Sequence, residues 1–272
     1  MLKKTLATGL IALSLSAPAF SSAIINDNTL AANDDGSTGP VSIGFSVDFF
    51  GLVFNDLFVN NNGNITFDST LSAYTPFDLT STGQQNIAPF FADVDTRNNR
   101  SEVTYGTGTF SGFNAFGVNW VNVDYFASNQ DHTNFNSFQL ILVERSDFAV
   151  GDFDIVFNYD NILWEAGTAN DSDENGLGGF SARAGFSNGT GAAGTQFEMQ
   201  GSAINGAFLN GGPNALISNR YNSTVDGRYI FSVRNGNVIT DPEPNPVPES
   251  GTLILMVTGL MLVSSRKFLK KK

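Results

Sequence analysis

Residues 171–176 read Asp171-Ser172-Asp173-Glu174-Asn175-Gly176. Oxygen-bearing side chains at alternating positions, closed by a glycine, are what a loop needs to wrap a hard cation. Carboxylate and amide oxygens supply the ligands, and glycine allows the bend. The stretch reproduces the first six positions of D-x-[DN]-x-[DN]-G, with Asp171, Asp173 and Asn175 as ligands and Ca2+ as the ion. The twelfth position is Ala182 instead of a glutamate, so this is not an EF-hand. A solvated acidic turn between strands is the favoured alternative. Asp93-Val94-Asp95 places two more carboxylates on one side of an extended segment. They serve either a cation or bonds to Arg97 and backbone amides.

Catalytic arrangements find less support. Gly185-Phe186-Ser187-Asn188-Gly189 has the G-x-S-x-G spacing of a nucleophile elbow. That chemistry needs a strand-to-helix turn, and an acid and a histidine later in the chain. The single histidine, His132, precedes Ser187, and no helix pattern follows Gly189. His132 reads as a polar loop residue. A glycosidase needs only two carboxyl groups, and nothing in the sequence selects a pair. One raised carboxyl pKa in a cleft would mark such an enzyme.

Positioning any of these groups falls to strands. Phe45, Val47 and Phe49 alternate with polar residues, as do Phe116, Val118 and Trp120. Phe153, Ile155, Phe157 and Tyr159 alternate with Asp154, Val156 and Asn158. Period-two patterns of this kind indicate half-buried strands. Phe138–Val143 is a continuous apolar run apart from Gln139. Asn62-Gly63 signals a type I′ hairpin turn, which pairs Phe58 with Phe67. The expected fold class is an all-β, antiparallel β-sandwich. Its core is aromatic, given 25 phenylalanines.

The two ends differ from this body. Lys3 and Lys4, an apolar stretch and Ser21-Ser22-Ala23 form a signal peptide over 1–23, with cleavage after Ala23. A polar lead-in covers 24–44, the β domain 45–235, and a Pro-rich linker 236–246. Residues 251–265 carry no charge and precede Arg266 and Lys267, reading as a short C-terminal transmembrane helix with its basic tail on the cytoplasmic side. Between Ile24 and Pro248 stand seven arginines against 25 acids, a net charge of −18 compared with −12 for the whole chain. So acidic a body lacks the basic footprint that nucleic acid requires. Membrane contact is left to the C-terminal helix. The chain has no cysteine, which excludes disulfides and thiolate zinc sites.

Two family resemblances follow. Val247-Pro248-Glu249-Ser250, the apolar stretch and the basic cluster over 247–272 resemble the PEP-CTERM sorting signal of Gram-negative bacteria, with Ser250 where the family has proline. The resemblance implies processing by an exosortase and delivery to the surface or extracellular matrix. Separately, "FGLVFNDLFVNNNGNITF" (50–67), "IAPFFADVDTR" (87–97), "FDIVFNYDNILWEAG" (153–167) and "ARAGFSNG" (182–189) resemble the NIDO domain. That resemblance implies an extracellular, non-enzymatic β-rich module of matrix and adhesion proteins. The expected function is therefore adhesion or exopolysaccharide association. A calcium-dependent binding module and a polysaccharide-acting enzyme are the alternatives.

Overall fold

Among the described residues, the alternation of apolar and polar residues resolves into fourteen strands. They are β1 (Asn28–Leu30), β2 (Val41–Phe49), β3 (Leu52–Asn60), β4 (Asn64–Thr66), β5 (Asn86–Phe91), β6 (Val94–Asp95) and β7 (Val103–Phe110), followed by β8 (Phe113–Tyr125), β9 (Asn136–Glu144), β10 (Phe153–Asn161), β11 (Arg183–Ser187), β12 (Gln196–Glu198), β13 (Arg228–Arg234) and β14 (Asn237–Ile239). The computed structural model describes residue 25 and residues 27–81, 83–97, 101–127 and 132–240. The signal peptide with Ala23, the sorting motif Val247–Ser250 and the C-terminal apolar stretch lie outside the described residues. Among the described residues, no helix is long and apolar enough to cross a membrane.

One sheet runs β1-β7-β8-β9-β10-β13-β14, with β6 also paired to β8; the other runs β12-β11-β5-β4-β3-β2. All pairings between these strands are antiparallel, as the sequence leads one to expect. The two sheets share one apolar core. Aromatic rings meet across it: Phe90 and Phe138 at 5.2 Å, Phe186 and Phe231 at 5.3 Å, and Phe49 and Phe153 at 6.4 Å between centroids. Offset and edge-on pairs of this kind add about 0.5–1.5 kcal/mol each beyond the area that they bury.

β9 is buried on both faces, which explains the mostly apolar run Phe138–Val143. Its one exception, Gln139, is fully buried and fully engaged. It donates to Asn119 at 2.5 Å and accepts from Asn158 at 2.8 Å. Thr104 and Arg228 extend this polar ladder across five strands. A buried amide is tolerated because both of its ends have partners.

The hairpin differs from its expected register. Phe58 faces Thr66, not Phe67, and Asn60 faces Asn64. Asn61-Asn62-Gly63 thus forms a three-residue loop with Gly63 in the left-handed region at φ 73°. The loop is also buried, because its asparagines serve as internal connectors and not as a solvated turn. β1 and the first residues of β2 fall within the polar lead-in. β14 falls within the stretch read as linker.

Candidate functional site

The hairpin loop gathers three carboxylates from two stretches that are far apart in the chain. Asn33-Asp34-Asp35-Gly36 lies between β1 and β2 and is folded as a turn, with the Asn33 side chain accepting the Gly36 N–H at 2.6 Å. Thr96 ties this turn to β6 through backbone and hydroxyl bonds to Asn33, each 2.9 Å. Asn61 donates to the Asp34 and Val94 carbonyls. Asn62 donates to the Asp35 carboxylate at 2.8 Å and accepts from the Val94 amide at 3.0 Å. The result brings Asp34, Asp35 and Asp93 together, with one oxygen from each within 4.8 Å of the others. Asp34, Asp35 and Asp93 line a cleft of about 220 Å³ together with Tyr74, Phe126 and Ala169.

The charges in this cleft are strained. Asp93 is 1% exposed, and the one hydrogen bond to its carboxylate among the described residues comes from Asn170 at 3.1 Å. Burial, and then repulsion from Asp34, Asp35 and Asp95, pushes its carboxyl up to about 8. Asp34 is raised to about 6, first by burial and then by Asp95 and Asp35, against the pull of Arg97. One buried oxygen of Asp34 has no partner. Arg97 grips Asp95 with two bonds of 2.9 and 2.8 Å and also reaches Asp34 at 2.9 Å.

Raised carboxyl pKa values carry a definite sign. The folded cluster retains protons that the unfolded chain gives up above its ordinary pKa near 3.8. Stability therefore falls as pH rises from about 4 through about 8. Thermal melting of the metal-free chain is expected to give a higher Tm at pH 5 than at pH 8. Asp93→Asn should flatten this profile and raise Tm at pH 8 by roughly 5 °C, a gain of about 2 kcal/mol. An unchanged profile in the variant would contradict the assignment.

The sequence-predicted residues divide. Asp93 joins the cluster, whereas Asp95 takes the alternative role of partner to Arg97. Asp171, Asp173 and Asn175 lie on an exposed loop. Asp173 accepts the backbone N–H groups of Asn175 and Leu177, each at 2.9 Å, as a turn-forming residue does. Sequence reasoning missed Asp34 and Asp35. Their local signal, an Asn-Asp-Asp-Gly turn, is visible, but their meeting with Asp93 depends on strand pairing.

The acyl-transfer arrangement does not assemble. Ser187 is buried in β11, and its hydroxyl accepts the Gly189 N–H at 3.0 Å. His132 is stacked on Tyr125 at 4.2 Å and bonded to Asp124 at 3.0 Å, so it is more fixed than a polar loop residue. The acidic cleft does contain the raised carboxyl that would mark a sugar hydrolase. One oxygen from each of Asp34, Asp35 and Asp93 lies within 4.8 Å of the others. Convergent carboxylate oxygens suit a hard divalent cation.

Comparison with known proteins adds the family. The chain is similar to alpha-tectorin from human and from mouse, 32% identical over 233 residues in each case, covering 76% of this chain and 10% of the relative. Chicken alpha-tectorin is 32% identical over 232 residues, covering 75% of this chain and 10% of that protein. The chain thus spans about a tenth of the length of the curated relatives it matches. No solved structure gives a significant match. The nidogen-like domain model matches residues 55–235, from within β3 to the end of β13. By that match, across most of both sheets, the chain belongs to the nidogen-like (NIDO) domain family.

Proposed function

We propose that the chain is an exported, non-enzymatic protein of the cell surface or extracellular matrix, acting in adhesion or in association with exopolysaccharide. The observation that carries this reading is the nidogen-like match over the sandwich, a module of extracellular matrix and adhesion proteins. The two ends support it as addresses: a signal peptide cleaved after Ala23, and a sorting signal at Val247-Pro248-Glu249-Ser250 followed by an apolar stretch and a basic tail. In this reading an exosortase removes the tail, so the anchor is transient and the host is a Gram-negative, biofilm-forming bacterium. Mass spectrometry of material recovered outside the cytoplasmic membrane tests the processing. The expected chain starts near Ile24 and lacks the basic tail. Recovery of an intact C-terminus through Lys272 would contradict the processing step.

A second reading, calcium-dependent binding, rests on the convergence of Asp34, Asp35 and Asp93. Three carboxylates held by turn and hairpin would give a calcium ion part of its shell of six to eight oxygens, with water supplying the rest. The cation would relieve the repulsion that raises Asp93, displacing its proton. Millimolar calcium is expected to raise Tm more at pH 8 than at pH 5, and Asp93→Asn should abolish the difference. No calorimetric heat and no shift in melting at millimolar calcium would remove this reading.

A further inference from the structure

A second concavity opens beside the C-terminal end of β12, lined also by β13 and by residues 213–221 before it. Its volume is about 230 Å³, below the roughly 300–1,000 Å³ of pockets for drug-sized ligands. Aromatic rings form its floor. Phe231 lies beneath Phe197 at 5.4 Å and is stacked with Tyr221 at 5.0 Å and 23°. Phe197 and Tyr221 are half-buried, which leaves ring surface open to the cavity. The Tyr221 hydroxyl donates to the Thr240 carbonyl, which fixes the orientation of the ring. Polar groups form the rim: Gln200, Asn214 and Arg220. The side-chain amides of Gln200 and Asn214 make no hydrogen bond to another described residue. Arg220 pairs with Asp226 and remains half-exposed.

This combination selects a class of ligand. An apolar ligand would leave the amide rim without partners. A phosphate would want several cations or a cradle of backbone N–H groups, whereas the one arginine here is already paired. A pyranose ring satisfies both parts of the site. Its axial C–H face is apolar and lies flat on an aromatic ring, and its hydroxyls donate and accept. Each free amide offers both functions in return. The cavity admits one ring, and its open mouth lets a polymer continue on either side.

We infer that the pocket of Phe197, Gln200, Asn214, Arg220 and Tyr221 binds one hexopyranose unit of a polysaccharide. This deepens the matrix reading and rests on it for the source of the glycan, but the binding chemistry stands on the pocket. The test is saturation-transfer NMR and titration calorimetry on the purified full chain. The probes are tetra- to hexasaccharides of glucose, galactose, mannose, N-acetylglucosamine and glucuronic acid. At least one probe is expected to bind in the submillimolar range. Tyr221→Ala should weaken it by at least about tenfold through loss of the stacking face. Tyr221 also supports Phe231, so the double variant Gln200→Ala/Asn214→Ala serves as the fold-preserving partner. It should weaken binding about tenfold with an unchanged Tm. Absence of binding by the unaltered chain at millimolar probe, or full affinity in the double variant, would overturn the assignment. If the chain is exported yet the double variant binds normally, the pocket falls and the matrix reading stands. If the pocket behaves as expected but the chain stays in the cytoplasm, the matrix reading falls and the pocket stands.

Discussion

Gly63→Ala is expected to unfold the domain or to leave it destabilised by at least about 4 kcal/mol, beyond the range of ordinary single substitutions. A Cβ at this position would lie 1.7 Å from the Phe90 carbonyl oxygen and 2.7 Å from its carbon, with φ at 73°. Both atoms are backbone, so no side chain can swing away. The hairpin loop would have to leave β5, where the Phe90 N–H donates to the Gly63 carbonyl at 3.3 Å. Phe90 packs on Phe138 and Trp164, at 5.2 and 5.6 Å, so the disturbance would reach the centre of the core. Asp34, Asp35 and Asp93 would lose their common scaffold at the same time. Gly112→Ala is the control. Gly112 has φ 87° and nothing within 4 Å of its added Cβ, so only backbone strain of about 1–2 kcal/mol applies. Urea denaturation of the two variants should separate them clearly. Equal midpoints would mean that close approach to Phe90 does not govern the hairpin.

Glu165→Ala is expected to cost about 2–4 kcal/mol, because two backbone N–H groups lose their shared acceptor. Glu165 is fully buried in the segment after β10. Its two oxygens accept the N–H groups of Gly206 at 2.6 Å and of Phe208 at 2.7 Å. These bonds close the long segment between β12 and β13 over the core, seating Phe208 beside Phe90 at 6.5 Å. Alanine would leave the buried Phe208 amide and the part-buried Gly206 amide unpaired. Glutamine would restore one acceptor and set an N–H against the other amide, so it should recover only part of the loss. Burial raises the Glu165 carboxyl pKa, against the lowering effects of the Phe208 and Gly206 amides. The sign matches that of Asp34 and Asp93: mild acid relieves a penalty on the folded state. Hydrogen exchange at Gly206 and Phe208 in Glu165→Gln offers a local check. Protection equal to that of the unaltered chain would contradict the clamp.

The extent to which fold and site can be read from sequence follows from the range of the interactions involved. Phe153, Ile155, Phe157 and Tyr159 announce β10 because alternate burial is a local property of an extended chain. The all-β antiparallel class follows from several such runs separated by turn residues. The register of the hairpin does not. Asn62-Gly63 would suit a two-residue turn, but contact of Gly63 with Phe90 and burial of Asn61 and Asn62 select a three-residue loop. Asp93 was legible as a carboxylate in an extended segment. Its partners Asp34 and Asp35 were not, since they reach it only through Asn33–Thr96 and Asn62–Asp35 bonds between distant segments. The acidic turn at 171–176 shows the opposite error of emphasis. Its spacing resembles a ligand loop, while Asp173 spends its oxygen on two amides of its own turn. The aromatic pocket had no sequence signal, because Phe197, Tyr221 and Phe231 come from three separate segments.

In the proposed role this chain binds extracellular matrix without chemically altering it. Co-sedimentation of the purified full chain with extracellular matrix from its own host, followed by assay of reducing ends, addresses both halves at once. Saturable partition into the pellet with no rise in reducing ends is the expected result. A chain that stays in the supernatant, or one that binds and generates new reducing ends, would contradict it.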